Sequence, residues 1–251
     1  QPPGKKNSTI HLLSGGANLT SVQLRDAQTK EEFARRIANF ASKIPPGTWI
    51  TGGDWDHTQW GGELPDRAWI DAVTSHHPVW IQRLDGHMAL ANSAAMRVAG
   101  VNEDVADIPG GQIVRDDNGV PSGVFKDNAM PLIDRAVPPR SLEQQLQAIV
   151  AAVDYLSARG VTAVHHMGSW EDLAALRLAE ARRLLNIRVY ALTPLPEWKR
   201  LADEIELAGR GTTMLRIGGL KGFVDGSLGS RTAAFLTPFE GAEGDRGLLV
   251  N

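Results

Sequence analysis

The chain has 251 residues, 42% of them apolar and 22% charged, with a formal net charge of −3. That is ordinary globular composition, which excludes a disordered or fibrous chain, and the length fits one domain of barrel size or two smaller ones. The absence of any basic block argues against nucleic acid as a partner, and no apolar run approaches the length of a membrane span. There is no Cys among the 251 residues, so disulfides, thiolate catalysis and Cys-based metal sites are ruled out within them. Any metal must be held by His, carboxylate or a modified side chain. The first residues, QPPGKKNST, carry neither an initiator Met nor a signal-peptide core. They read as a processed or cut end, and no compartment follows from them.

In chain order, a polar lead-in (1–6) precedes a short apolar run, Ile10-His11-Leu12-Leu13, which reads as a brief strand ending at Ser14-Gly15-Gly16. Residues from Thr29 onward form an amphipathic helix, with Thr29 as N-cap and Glu32 completing a capping box. Five of the seven Trp lie between Trp49 and Trp80. Strands are predicted at 48–52 and 78–84, and a hairpin at 112–125 turning at Asp117-Asn118-Gly119. Short helices are predicted near 66–73, 92–99 and 128–136. From Ser141 the rhythm becomes helix (141–159), strand (161–167), helix (170–185), strand (187–193), helix (196–208) and strand (215–224). Gly160 and Gly209 sit at helix C-caps. This alternation argues for βαβ units and a parallel sheet. The chain is therefore expected to divide into 1–37, a separate α+β subdomain at 38–140, and 141–251.

Five stretches carry candidate chemistry. His11, at the end of the first strand, is placed where α/β sites are built, or is a lone structural His. In Leu220-Lys221-Gly222-Phe223-Val224-Asp225, the strand period puts Lys221, Phe223 and Asp225 on one face. An apolar strand tolerates Lys221 only if it is ion-paired (Asp225 being one partner), used as a desolvated amine, or carboxylated by CO₂. Asp85-Gly86-His87 makes a polar tip that is either a pocket wall or plain turn chemistry. Of His165 and His166, at most one points into a site. Gly226–Thr232, with Arg231, suits an anionic or carbonyl group, and lacks the P-loop Lys-Ser/Thr. The Trp cluster reads as core, with a sugar-stacking platform as the alternative.

Several of these stretches resemble amidohydrolase family 3, the YtcJ-like proteins of the amidohydrolase superfamily. The matching text is Trp49–Trp55, Arg83–His87 with Asn92-Ser93, Gly160–His165, and the long motif Lys221–Ala233. The resemblance implies an α/β fold: about four βα units, the first half of a metal-dependent (β/α)₈ barrel, with the α+β subdomain inserted after strand one. The core strands would be 7–12, 161–167, 187–193 and 215–225. The implied activity is hydrolysis of C–N bonds other than peptide bonds in a small-molecule substrate, by a water that one or two divalent metals, typically Zn²⁺, activate. His11 would be a metal ligand and Lys221, as its carbamate, a bridging ligand. Lys221 and Asp225 would be the catalytic pair, with Asp225 and Arg231 supporting the end of strand four. Asp85, His87 and His165 would line the substrate pocket. Thr9 stands where the family carries its first strand-one His, and Asn7 where it carries Asp. The family's later metal ligands, two His and a general-base Asp, lie on strands five, six and eight, which these residues do not include. A half barrel has open edges at strands one and four. The expected partners are therefore the remainder of the barrel, from the same gene or a second fragment, or another copy of the chain. The alternative function is a catalytically inactive binding or assembly module.

Overall fold

The computed structural model describes residues 5–225, 233–241, 244–247 and 249, with side chains from Thr9 onward. The chain mixes strands and helices in an α/β fold, with strict alternation from α5 onward. It opens with β1 (Lys5–Ile10), α1 (Leu12–Thr20), β2 (Val22–Gln23), α2 (Lys30–Ala41) and β3 (Ile50–Trp55). Next come β4 (Val79–Arg83), β5 (Met88–Ala91), α3 (Ser93–Val98), β6 (Gly111–Arg115), β7 (Pro121–Asp127) and α4 (Pro131–Asp134). It continues through α5 (Leu142–Ser157), β8 (Val161–Met167), α6 (Trp170–Ala181), β9 (Arg188–Pro194), α7 (Trp198–Ala208) and β10 (Leu215–Lys221). No helix among the described residues is long and apolar enough to cross a membrane.

Two compact units result, one of residues 1–13 and 152–251, the other Ser14–Ala151. The second unit holds a six-stranded sheet in the order β2-β3-β4-β5-β7-β6, parallel from β2 to β4 and antiparallel thereafter. Composition placed the start of this unit at residue 38. The boundary lies earlier because α2 presents Phe33, Ile37 and Ala41 to the same core as Ile50, Trp55, Ile81 and Leu90. Phe33 is fully buried, and truncating such a side chain to Ala costs about 3–5 kcal/mol. Thr29 caps α2 by accepting from the Glu32 N–H at 3.1 Å, while the Glu32 carboxylate accepts from Gln28 N–H, one residue short of a reciprocal box.

The predicted hairpin is present, with Asp116 Oδ1 accepting from the N–H groups of Asn118 and Val120. The helix predicted over 66–73 is two 3₁₀ turns, Arg67–Trp69 and Asp71–Val73. The Trp cluster is core: Trp55 is fully buried with its indole N–H donating to the Ile81 carbonyl, and Trp60 and Trp69 pack around Phe33. No sugar platform forms.

The first unit is a parallel sheet in the order β1-β8-β9-β10. One face is closed by Val164, His166, Val189, Ala191, Thr193, Leu215 and Ile217, each no more than 2% exposed. Two predicted boundaries differ. The first strand ends at Ile10, and Leu12 and Leu13 start a helix instead of continuing it. Leu12, Leu13 and Ala17 are all buried, a helical spacing that the intervening Ser14-Gly15-Gly16 disguises as a turn. Gly16 is needed there because a Cβ would overlap the Ala148 carbonyl oxygen. The last strand ends at Lys221, short of 224, because Gly222 leaves the ladder and Phe223 and Val224 are exposed.

Candidate active site

The first unit carries its candidate groups at the C-terminal ends of parallel strands. That placement is where α/β folds assemble ligand sites. His11 occupies the single-residue junction between β1 and α1. Its Nδ1 lies 3.0 Å from the Met167 carbonyl oxygen. A carbonyl only accepts, so Nδ1 carries the proton and Nε2 keeps its lone pair. Metal-binding imidazoles are ordinarily held this way, so His11 fits a metal ligand through Nε2.

Lys221 reaches its position through a β-bulge. Ile217 pairs with Ala191, but Gly219 pairs with Leu192, leaving Gly218 as the extra residue at φ +145°. In a regular strand, Lys221 would share the buried face of Leu215 and Ile217. The bulge reverses the alternation, so Lys221 pairs with Pro194 on the opposite face, the face of Leu192 and Tyr190. The Lys221 ammonium sits 4.4 Å from the Phe223 ring. The expected pairing with Asp225 is not formed. Among the described residues no carboxylate pairs with Lys221, and Asp225 instead accepts from the Ala234 N–H at 2.9 Å and bridges to Leu249. The strand stops at Lys221, so the alternation that would have aligned the two no longer applies. An amine without a carboxylate partner is chemically able to carry a carbamate.

The two adjacent histidines separate as strand geometry demands. His165 is on the open face, tilted against Tyr190 with ring centroids 5.3 Å apart, and lines a cavity of about 530 Å³ with Tyr190, Arg188 and Arg216. His166 is 2% exposed on the closed face. Its Nδ1 accepts the Leu12 N–H at 3.1 Å, and its Nε2 lies 3.4 Å from Asp172 Oδ2. Asp172 is the third residue of α6, where it forms a capping box with Ser169. Burial raises the Asp172 carboxyl. The His166 Nε2–H that faces it and the hydrogen bond from the Ser169 N–H outweigh burial and leave it below the ordinary value. The sequence offers His165 and His166 as alternatives, at most one of them pointing into a site, and leaves Asp172 out, although Ser169-Trp-Glu-Asp172 is a recognisable capping signature.

Three candidates remain. Arg231 lies outside the described residues. Asp85 and His87 belong to the second unit, in the turn between β4 and β5. Asp85 pairs with Arg83 and accepts from the His87 N–H at 3.1 Å; His87 Nδ1 faces Asp127 Oδ1 at 2.9 Å. Asp56 also pairs with Arg83 at 3.1 Å. The hydrogen bond and charge of Asp127 raise the His87 imidazole above its usual value. Burial and the Arg83 charge lower that of His57. Asn92, part of the same motif, is 1% exposed and structural. Its Oδ1 accepts from Val79 N–H and Ala95 N–H, each at 2.9 Å, and its Nδ2 donates to Thr74 Oγ1 and the His77 carbonyl, each at 2.8 Å.

Thr9 offers no imidazole beside His11. Among the described residues no three His, Asp or Glu side chains gather to hold a metal by themselves. His11 and Lys221 thus fit as part of a donor set, not as a whole one.

Known proteins bear on this arrangement. Protein LONG AFTER FAR-RED 3 of Arabidopsis thaliana is 37% identical over 260 residues, covering 99% of this chain and 45% of its own length. YtcJ of Bacillus subtilis (strain 168) is 29% identical over 261 residues, covering 99% and 48%. The crystal structure of an uncharacterized metal-dependent hydrolase from Pyrococcus horikoshii OT3 superposes with a TM-score of 0.72 at 27% identity, covering 99% of this chain and 48% of that one. The chain spans about half the length of the curated relatives it matches. A family model described as the amidohydrolase family matches residues 3–248. The chain belongs to the amidohydrolase family.

Proposed function

We propose that these residues form about half of a metal-dependent (β/α)₈-barrel amidohydrolase that hydrolyses C–N bonds other than peptide bonds in small molecules. The observation that carries this reading is the Gly218 bulge, which turns Lys221 out of the closed face at the C-terminal end of the sheet. A lysine so placed, with the Nε2 lone pair of His11 at the corresponding end of β1, supplies two metal-binding positions. In this reading His11 binds through Nε2 and Lys221, as its carbamate, through oxygen. When bound, a divalent metal, Zn²⁺ in this proposal, lowers the pKa of a water toward neutrality and polarises the substrate carbonyl. Water adds to the carbonyl carbon, the C–N bond breaks, and the amine leaves with a proton.

The sheet order supports the barrel. Three strand spacings of about 4.8 Å would set β1 and β10 roughly 14 Å apart in a flat sheet. A curled sheet brings both ends toward a common axis. The half-exposed face of His165, Tyr190 and Lys221 then looks inward, and the rest of the barrel covers it. His165 lies on that face against Tyr190, and in this reading it stands on the substrate side. Asp225 accepts from the Ala234 N–H after β10, and in this reading it supports the end of the strand.

The test is metal analysis and hydrolysis of simple N-acyl amines by the full-length protein and its His11→Ala and Lys221→Ala variants. The reading expects metal and activity to fall together in both variants. Activity that survives complete metal removal would sink it. Thr9 favours a second reading, a catalytically inactive binding or assembly module, which expects no tightly held metal in the wild type.

A further inference from the structure

We propose that His166 and Asp172 are positioning residues, which fix the β1–α1 junction and so set the tautomer and aim of His11. The proposal rests on the reading of His11 as a metal ligand. Two bonds from the end of β8 hold that junction. The Met167 carbonyl accepts the His11 Nδ1 proton, and His166 Nδ1 accepts the N–H of the next residue, Leu12. The Leu12 N–H can only donate, so His166 is neutral with its proton on Nε2. That Nε2–H is buried and has no partner within good hydrogen-bond geometry. The group it faces is the Asp172 carboxylate at 3.4 Å. Asp172 is itself fixed, because its carboxylate accepts the Ser169 N–H at 3.3 Å while its own N–H donates to Ser169 Oγ at 3.2 Å. A Cβ at Gly168 would overlap both His166 Nε2 and Asp172 Oδ2, so the residue between β8 and the α6 cap is one that lets ring and carboxylate approach. The chain of constraint runs from the α6 cap through Asp172 and His166 to the Leu12 backbone, and from there to the adjacent His11. Partners that fix the orientation and tautomer of a metal-binding imidazole, as the Met167 carbonyl does for His11, tune its affinity.

The experiment uses the full-length protein with Zn²⁺ as the probe. Long-range ¹H–¹⁵N spectra of the metal-free protein read the histidine tautomers, and competition with a chromogenic chelator reads zinc affinity. Expected are an Nδ1–H tautomer for His11 and an Nε2–H tautomer for His166 in the wild type. His166→Leu should turn His11 into a tautomer mixture and lower zinc affinity about 10–100-fold. His166→Asn, whose amide oxygen stands near the Nδ1 position and accepts the Leu12 N–H, should recover most of the loss. Asp172→Asn should lower affinity by less than His166→Leu. A folded His166→Leu protein with wild-type His11 tautomer and wild-type zinc affinity would overturn the proposal. If that variant fails to fold, unchanged affinity and unchanged His166 tautomer in Asp172→Asn would overturn it. Zinc affinity indifferent to His11→Ala would remove the metal reading itself, and the His11 tautomer in the metal-free variants would still decide the positioning claim.

Discussion

Asn92 shows how a motif residue can be structural. Its side chain satisfies two buried backbone donors, Val79 N–H and Ala95 N–H, and two acceptors on the Thr74–His77 turn. Asn92→Ala strands both donors at about 1–3 kcal/mol each and removes the α3 cap. The sum, about 4 kcal/mol, is a large part of a typical domain's stability of about 5–15 kcal/mol. In a chain of this size it lowers Tm by roughly 8–16 °C. Asn92→Asp sharpens the test. The carboxylate keeps the acceptor but turns its second oxygen on Thr74 Oγ1 and the His77 carbonyl, so the folded state favours the protonated acid and its pKa rises. A raised acid pKa gives stability that is present below the unfolded value of about 3.9 and lost as pH rises through the folded value. The deficit of Asn92→Asp relative to wild type should therefore shrink as pH falls toward about 4, while that of Asn92→Ala should not. Calorimetric melts between acid and neutral pH measure both. A neutral-pH Tm for Asn92→Asp equal to wild type would refute the reasoning.

Gly16→Ala drives a methyl into the Ala148 carbonyl. The expected cost is about 1–3 kcal/mol, seen as a lower melting temperature, and an unchanged Tm would contradict the close approach. His87 and His57 should titrate on opposite sides of the ordinary imidazole value in one NMR series, His87 above because of Asp127 and His57 below because of burial and Arg83. Asp127→Asn should bring His87 down and leave His57 in place. The favourable His87–Asp127 contact exists below the unfolded imidazole value and is lost as pH rises through the folded one. Inserting one Ala between Gly219 and Leu220 should shift Lys221 by one strand position, onto the closed face, and cost both metal and stability; normal metal content would argue against the role of the open-face placement.

Much of the fold is legible in sequence because the signals are local. The α2 amphipathic face, the Asp-Asn-Gly turn and the strand–helix rhythm after Ser141 each follow from residue spacing, and the family motif around Lys221 is a continuous stretch of sequence. The misses have one physical character: contacts between distant residues override local pattern. Leu12-Leu13-Ser14-Gly15-Gly16 looks like a strand and turn until Ala148 explains Gly16. The phase reversal at Gly218 was signalled by adjacent glycines inside a strand, a mark of a bulge that alternation alone passes over. His166 is distinguished from His165 only by its bond to a backbone 154 positions away. Asp225, adjacent in pattern to Lys221, serves a different segment because the strand ends between them.

The central claim is that His11 and Lys221 hold a catalytic metal. The most direct test is the zinc content per chain of the purified full-length protein, wild type beside His11→Ala and Lys221→Ala. The account predicts at least one zinc per wild-type chain and a large loss in both folded variants. Zinc retained at wild-type stoichiometry in both would contradict it.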